Sequence, residues 1–381
     1  MSRIRVLVVD DSAFMRKAIT DILSSSPDLE VIGKAKNGQE AFEKVIELKP
    51  DVVTLDIEMP VLDGLTTLGY IMSECPTPVI MLSGAESKHA DVTMTAFQYG
   101  AVDFILKPSG NISLDMDKIK DEIVKKVKAA SKVETHKLGF IQERGKNDNS
   151  GISRREGVKE TGKKPQAAAR EETHKVDFTE TIEPPKKSNN KKIVIIGTST
   201  GGPRALQQVI PLLPSNLGAP VLVVQHMPPG FTKSLAERLD SQSRIKVREA
   251  EDGDIVRPGI VLIAPGDYHM IVRQEEINGK TKEVIALNKN EKVQGVRPSV
   301  DVLLNSVAQI YGTNSIGVIL TGMGSDGTDG IRKLKLAGGK VIAEDESTCV
   351  VYGMPRSVIE QRLADYVLPI NKIAQSIAQI T

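Results

Sequence analysis

The chain has 381 residues, more than one ordinary core holds, and its 40% hydrophobic and 26% charged residues are globular proportions. A formal net charge of +1 gives no whole-molecule attraction to nucleic acid, and 3% aromatics without a tryptophan argue against a base-stacking platform. Two cysteines, Cys75 and Cys349, stand far apart with no secretory leader, which reads as reduced thiols in a cytoplasmic protein, and apolar runs of only strand length argue against membrane insertion.

In chain order, RVLVV runs up to Asp10 and helix-like segments follow at Ser12–Leu23 and Gly38–Leu48. Strand-like runs recur as VVTL before Asp56, VIML before Ser83 and VDFIL before Lys107, and Asp115–Ala130 has the pattern of a closing helix. Strands alternating with helices predict a parallel sheet covered on both faces. From about Lys132 to Asn190 the chain is rich in Lys, Glu, Arg, Thr, Asn and Gly, too polar to bury enough surface to offset its ordering entropy. The alternation then restarts. IVIIG, a helix from Pro203, VLVVQ and a helix from Phe231 lead into a β-rich stretch to about Leu287. A helix at Ser299–Ile310, IGVILTG, a helix near Asp329–Ala337, KVIAED and two further helices follow. The expected division is a first α/β domain at 1–126, a charged flexible linker at 127–190 and a second α/β domain at 191–381.

In the first domain Asp10, Asp11 and Asp56 all follow strands, so a parallel sheet brings them to one edge, where ligands of open α/β sheets bind. Three carboxylates there repel one another unless a divalent cation joins them, and oxygen ligands suit Mg²⁺. Ser83 and Lys107 end the next strands, placing a hydroxyl and an ammonium where a phosphoryl group on Asp56 would need them. The set DD, D, S and KP at successive strand ends resembles the receiver domain of bacterial response regulators over about Ile4–Lys126. That resemblance implies a flavodoxin-like fold with a five-stranded parallel sheet. It implies Asp56 as phospho-acceptor, Asp10 and Asp11 with Asp56 as Mg²⁺ ligands, and Ser83, Lys107 and the aromatic Phe104 as the switch.

The second domain opens on GTSTGGPR, Gly197–Arg204, between a strand-like and a helix-like run. No lysine follows as in a phosphate-binding P-loop, and Ser199 stands where a dinucleotide fingerprint needs its second glycine. Gly197, Ser199 and Gly201 do satisfy G-x-S-x-G, which lifts a serine hydroxyl onto a sharp turn at a helix start. A nucleophilic serine needs a base and an orienting acid. His89 lies in the first domain, and His136 and His174 fall in the linker. His226 directly follows a strand in VLVVQHMP, whereas His269 in APGDYHM reads as a histidine on a strand face. ILTGMGSDGTDG offers Asp326 in a glycine-rich loop, and Asp329 as a helix cap. Spacing alone leaves Ser199, His226 and Asp326 a candidate set. Their chain order also differs from that of the α/β-hydrolases.

GTSTGGPRAL, VVQHMPPGFT, APGDYHM, RPSVDVL and ILTGMGSDGTDG together resemble the chemotaxis protein-glutamate methylesterases of the CheB family, from about Lys192 to the C-terminus. The resemblance implies a Rossmann-like, mostly parallel sheet. It implies Ser199 as nucleophile, His226 as general base and then acid, Asp326 as orienting carboxylate, a Met323 N–H in the oxyanion hole, Thr200 as a positioning neighbour, and no metal at this site. It further implies methyl-accepting chemoreceptors as substrates, deamidation of receptor glutamines as a second activity, and a chemotaxis histidine kinase as phosphodonor. An unphosphorylated receiver would restrict access to the site. The rival expectation is a non-enzymatic regulator whose glycine turn holds an anion at a helix N-terminus.

Overall fold

Runs of Val, Ile and Leu too short for helices form the strands of two separate parallel sheets in the computed structural model, which describes residues 3–84, 87–107, 112–138 and 192–381. The first sheet contains β1 (Ile4–Val9), β2 (Leu29–Ala35), β3 (Val52–Asp56), β4 (Val79–Ser83) and β5 (Asp103–Leu106) in the order β2-β1-β3-β4-β5, all parallel. This is the flavodoxin-like order expected of the first domain. Its helices are α1 (Ala13–Ser24), α2 (Gly38–Leu48), α3 (Gly64–Glu74), α4 (Ser87–Gln98) and α5 (Ile112–Ala130). Ser12, Asn37 and Asp63 start the first three by accepting from Met15, Glu40 and Thr66 backbone N–H groups, the usual way of satisfying orphan donors at a helix start. Helix α5 continues past Lys126 to Ala130, and a 3-10 turn at Thr135–Leu138 ends with Leu138 buried. Of the stretch expected as linker, residues 139–190 lie outside the described residues, as does residue 191 of the second domain.

The second sheet is built from β6 (Ile193–Thr198), β7 (Val221–Gln225), β8 (Lys246–Glu249), β9 (Ile260–Ile263), β12 (Ser315–Ile319), β13 (Lys340–Glu344) and β14 (Tyr366–Leu368). All pairings are parallel, in the order β14-β13-β12-β6-β7-β9-β8. The central β6 and β7 are buried along their whole length, as strands covered by helices on both faces must be. An antiparallel hairpin of β10 (His269–Ile277) and β11 (Lys280–Asn288) forms its own two-stranded sheet and accounts for the β-rich stretch in the sequence. The helices are α6 (Gly202–Val209), α7 (Phe231–Gln242), α8 (Val300–Tyr311), α9 (Thr328–Leu336), α10 (Met354–Glu360) and α11 (Ile370–Ile380). Among the described residues, no helix is long and apolar enough to cross a membrane.

The chain runs from β6 out to one side, through β7, and returns to place β12 on the other. The strand direction of travel therefore reverses at β6, and the crevice at its carboxyl end is where such sheets bind ligands.

Candidate functional sites

The register of β6 with β7 sets Thr198 opposite Gln225, so the next residues, Ser199 and His226, leave the sheet side by side. The His226 N–H donates to the Thr198 carbonyl at 3.2 Å, and the Gln225 side-chain amide donates to the Ser199 carbonyl at 3.1 Å. Gly201 caps α6 with φ +78°, a left-handed conformation that glycine adopts without strain, and this lets the chain fold sharply after the serine. Pro203 follows in the first helical turn.

Asp326 arrives from the loop after β12. Its Oδ2 lies 2.8 Å from His226 Nε2 and accepts the Val300 N–H at 2.7 Å, while Oδ1 accepts the Ser299 hydroxyl at 2.8 Å and the Asp301 N–H at 3.1 Å. The carboxylate thus sits on the N-terminus of α8, where free N–H groups favour an anion. Burial opposes its charge, but the His226 bond and charge with the Val300 and Ser299 donors hold the carboxyl below its usual range. An ionised carboxylate only accepts, so Nε2 carries the proton and Nδ1 keeps the lone pair. Asp329, expected as a helix cap, is instead the second residue of α9 and pairs with Arg332. Gly327 takes the cap position because the turn there is left-handed, at φ +97°.

Met323 lies in the turn after Thr321 and Gly322. The Ser199 N–H donates to the Thr321 carbonyl at 3.1 Å, and a Cβ on Gly322 would come 2.9 Å from the Ser199 Cβ. Among the described residues the Met323 N–H makes no backbone hydrogen bond. His269 begins β10, buried, with Nε2 3.0 Å from the Glu291 carbonyl, in keeping with a histidine on a strand face.

In the first sheet, carboxylate oxygens of Asp10, Asp11 and Asp56 lie within 4.8 Å of one another. The Lys107 ammonium stands 2.6 Å from Asp56 Oδ2 and 2.8 Å from Asp10 Oδ2. Burial pushes the Asp56 carboxyl up to about 6; Lys107 opposes this and the other two aspartates add to it. Three carboxylates against one ammonium leave a surplus of negative charge, and an all-oxygen donor set of this kind fits a divalent hard cation. A cleft of about 800 Å³ lined by Asp11, Glu58, Met59 and Asp63 opens beside them. Ser83 reaches the same edge, but its hydroxyl lies 3.1 Å from the Thr93 hydroxyl and 3.3 Å from the Gly84 carbonyl.

Phe104 does not face solvent. It stacks on Phe231 of α7 with centroids 4.7 Å apart and planes 11° from parallel. Its neighbour Asp103 accepts the Thr200 hydroxyl at 2.5 Å and the Lys126 ammonium at 3.2 Å. Thr200, expected to assist the nucleophile, is thereby tied to the first domain. Arg204 donates to the Leu138 carbonyl at 3.1 Å, and α4 packs on α7, where Arg238 reaches Thr95 at 3.4 Å. Nothing in the sequence marks Asp103 or Phe231 as contacts between the domains: VDFIL reads as a strand, and PPGFT as a helix start.

An acid-lined, flavodoxin-like sheet joined to a second doubly wound sheet with serine, histidine and aspartate on one edge defines a response regulator with an enzymatic output domain. Residues 6–117 match the response regulator receiver domain and residues 194–377 the CheB methylesterase domain. The solved Thermotoga maritima CheB methylesterase catalytic domain is 57% identical, with a TM-score of 0.48, and the match covers 50% of this chain and 98% of that one. The protein-glutamate methylesterase/protein-glutamine glutaminase of T. maritima is 50% identical over 377 residues, 99% of this chain and 98% of the relative. The protein of the same name from Symbiobacterium thermophilum is 51% identical over 383 residues, 99% and 96% of the two chains. At that identity over that length, the chain belongs to the CheB family of protein-glutamate methylesterases/protein-glutamine glutaminases.

Proposed function

We propose that this phosphorylation-regulated chemotaxis methylesterase hydrolyses glutamate γ-methyl esters on chemoreceptors through Ser199, His226 and Asp326, and deamidates receptor glutamines by the same route in the cytoplasm. Ser199 Oγ attacks the ester carbonyl carbon and gives its proton to His226 Nδ1, the nitrogen that Asp326 leaves free. The developing oxyanion is met by the Met323 N–H. As the C–O bond breaks, the imidazolium returns the proton to the leaving oxygen and methanol departs. Water then attacks the acyl-enzyme with His226 as base, and the glutamate carboxylate and free Ser199 are restored. With a glutamine substrate, ammonia leaves in place of methanol. The observation that carries this reading is the 2.8 Å pairing of His226 Nε2 with Asp326 Oδ2 one strand away from Ser199. Ser199→Ala in the full chain is expected to abolish methanol release from a methylated receptor fragment. Release at the unmodified rate would overturn the assignment.

The domain division at 1–126, 127–190 and 191–381 goes with this reading, with the receiver's contacts extending to Leu138. In the receiver, Asp10, Asp11 and Asp56 would hold Mg²⁺, which when bound screens the phosphoryl group's charge. Asp56 accepts the phosphoryl group from the chemotaxis histidine kinase, Lys107 pairs with it, and Ser83 turns from Thr93 to donate to it. The contacts of Phe104 with Phe231 and of Asp103 with Thr200 support a receiver that restrains the serine turn until Asp56 is phosphorylated. Moving Ser83 and Phe104 would loosen both.

A further inference from the structure

One buried carboxyl that no step above uses lies directly behind the nucleophile turn. Glu344 ends β13 and is 1% exposed. Its Oε2 accepts the Thr321 N–H at 2.7 Å and its Oε1 accepts the Thr348 hydroxyl at 3.0 Å. Thr321 is the residue that holds the serine turn in place. Its carbonyl accepts both the Ser199 N–H at 3.1 Å and the Thr198 hydroxyl at 2.8 Å. Its own hydroxyl lies 3.1 Å from the Thr200 carbonyl and accepts the Val351 N–H at 2.9 Å. Thr321 therefore binds the three consecutive residues Thr198, Ser199 and Thr200, and it also begins the turn that presents Met323. A buried carboxyl is costly to keep, and here one oxygen is spent on Thr321 in the loop after β12 and the other on Thr348 in the loop after β13.

We infer that Glu344 is a positioning residue for the hydrolysis: by anchoring Thr321 it sets the spacing between the Ser199 hydroxyl and the Met323 N–H. This rests on Ser199 being the nucleophile. A group held this way acts on the rate of the chemical step and not on substrate affinity, because a displacement well under 1 Å between nucleophile and oxyanion donor lowers the rate while leaving distant substrate contacts alone.

The test is steady-state methanol release from a methylated receptor fragment by the full chain, with acetyl phosphate and Mg²⁺, for Glu344→Gln, Glu344→Met and Ser199→Ala. Glutamine can still accept the Thr321 N–H, and its amide can donate to Thr348, whose hydroxyl can turn to the Asp345 carbonyl 3.4 Å away. Glu344→Gln is therefore expected to keep kcat within about 3-fold. Methionine fills the space without an acceptor, and kcat should fall about 10- to 100-fold with KM within about 2-fold. Should Glu344→Met not stay folded at the assay temperature, Thr348→Val replaces it, freeing one Glu344 oxygen, with a loss of about 3- to 10-fold in kcat expected. An unchanged kcat in the folded Met or Val variant would overturn the inference, as would an equal loss in Glu344→Gln or a change confined to KM. An inactive Ser199→Ala beside an unchanged Glu344→Met sinks this inference alone, whereas an active Ser199→Ala sinks the nucleophile assignment beneath it.

Discussion

Asp326 shows how a single carboxylate is kept charged inside a protein. Four donors surround it, from His226, Val300, Ser299 and Asp301, and they outweigh the cost of burial. Asp326→Asn replaces an acceptor with a donor toward His226 Nε2 and so favours the wrong tautomer. The expected loss in kcat is about 10³- to 10⁴-fold, read from methanol release at saturating substrate. Glu344 is the opposite case, since burial pushes its carboxyl up to about 7 from an ordinary 4.5. The folded chain then holds this proton more tightly than the unfolded chain does between pH 4.5 and about 7, so stability falls as pH rises through that window. The loss approaches about 3 kcal/mol once both states are ionised. Glu344→Gln does not titrate. Its melting temperature relative to the unsubstituted chain should therefore rise by several degrees between pH 5 and pH 8, and calorimetry at the two pH values checks this. Ser199, His226 and Asp326 could be picked out in the sequence because each follows an apolar strand, and strand ends announce themselves. Glu344 could not, although KVIAED also ends a strand, because its role depends on a partner, Thr321, on the neighbouring strand's loop.

At the scale of elements, the serine turn depends on glycines whose space is taken by neighbours. A Cβ on Gly322 would lie 2.4 Å from the Met354 Sδ and 2.9 Å from the Ser199 Cβ. The methionine tip can give way, but Ser199 cannot do so without moving the hydroxyl proposed to attack. Gly322→Ala should therefore lower kcat by about 10-fold or more, with phosphorylation of Asp56 by acetyl phosphate unaffected. Measuring both on one preparation separates local displacement from general unfolding. Helix α8 also shows where sequence reasoning stops. RPSVDVL predicts a helix with Ser299 at its start, and Ser299 does cap it, accepting the Val302 N–H at 3.4 Å. That the carboxylate seated on this helix N-terminus would also reach His226 requires knowing that β12 lies beside β6, a pairing of strands more than a hundred residues apart. The strand order was open to the sequence only as alternation, while the antiparallel hairpin could be seen only as β-rich composition.

For the whole molecule, the proposed link between phosphorylation and hydrolysis runs through a few contacts that alternating patterns cannot reveal. Phe104 is marked by its place before Lys107, but nothing in VVQHMPPGFT says that Phe231, in the other domain, is its partner. An aromatic stack contributes about 0.5–1.5 kcal/mol beyond the area it buries. Phe231→Ala should weaken the restraint enough to raise methanol release without phosphodonor by about 3- to 10-fold and to shrink the activation ratio. An unchanged ratio would mean the stack is packing and not control. The most direct test of the account is methanol release from a methylated receptor fragment by the full chain, with and without acetyl phosphate and Mg²⁺, alongside Asp56→Asn. The account predicts release that rises with the phosphodonor in the unsubstituted chain and stays at the basal rate in Asp56→Asn. Release that is equal in all four conditions would contradict it, leaving an esterase that Asp56 does not govern.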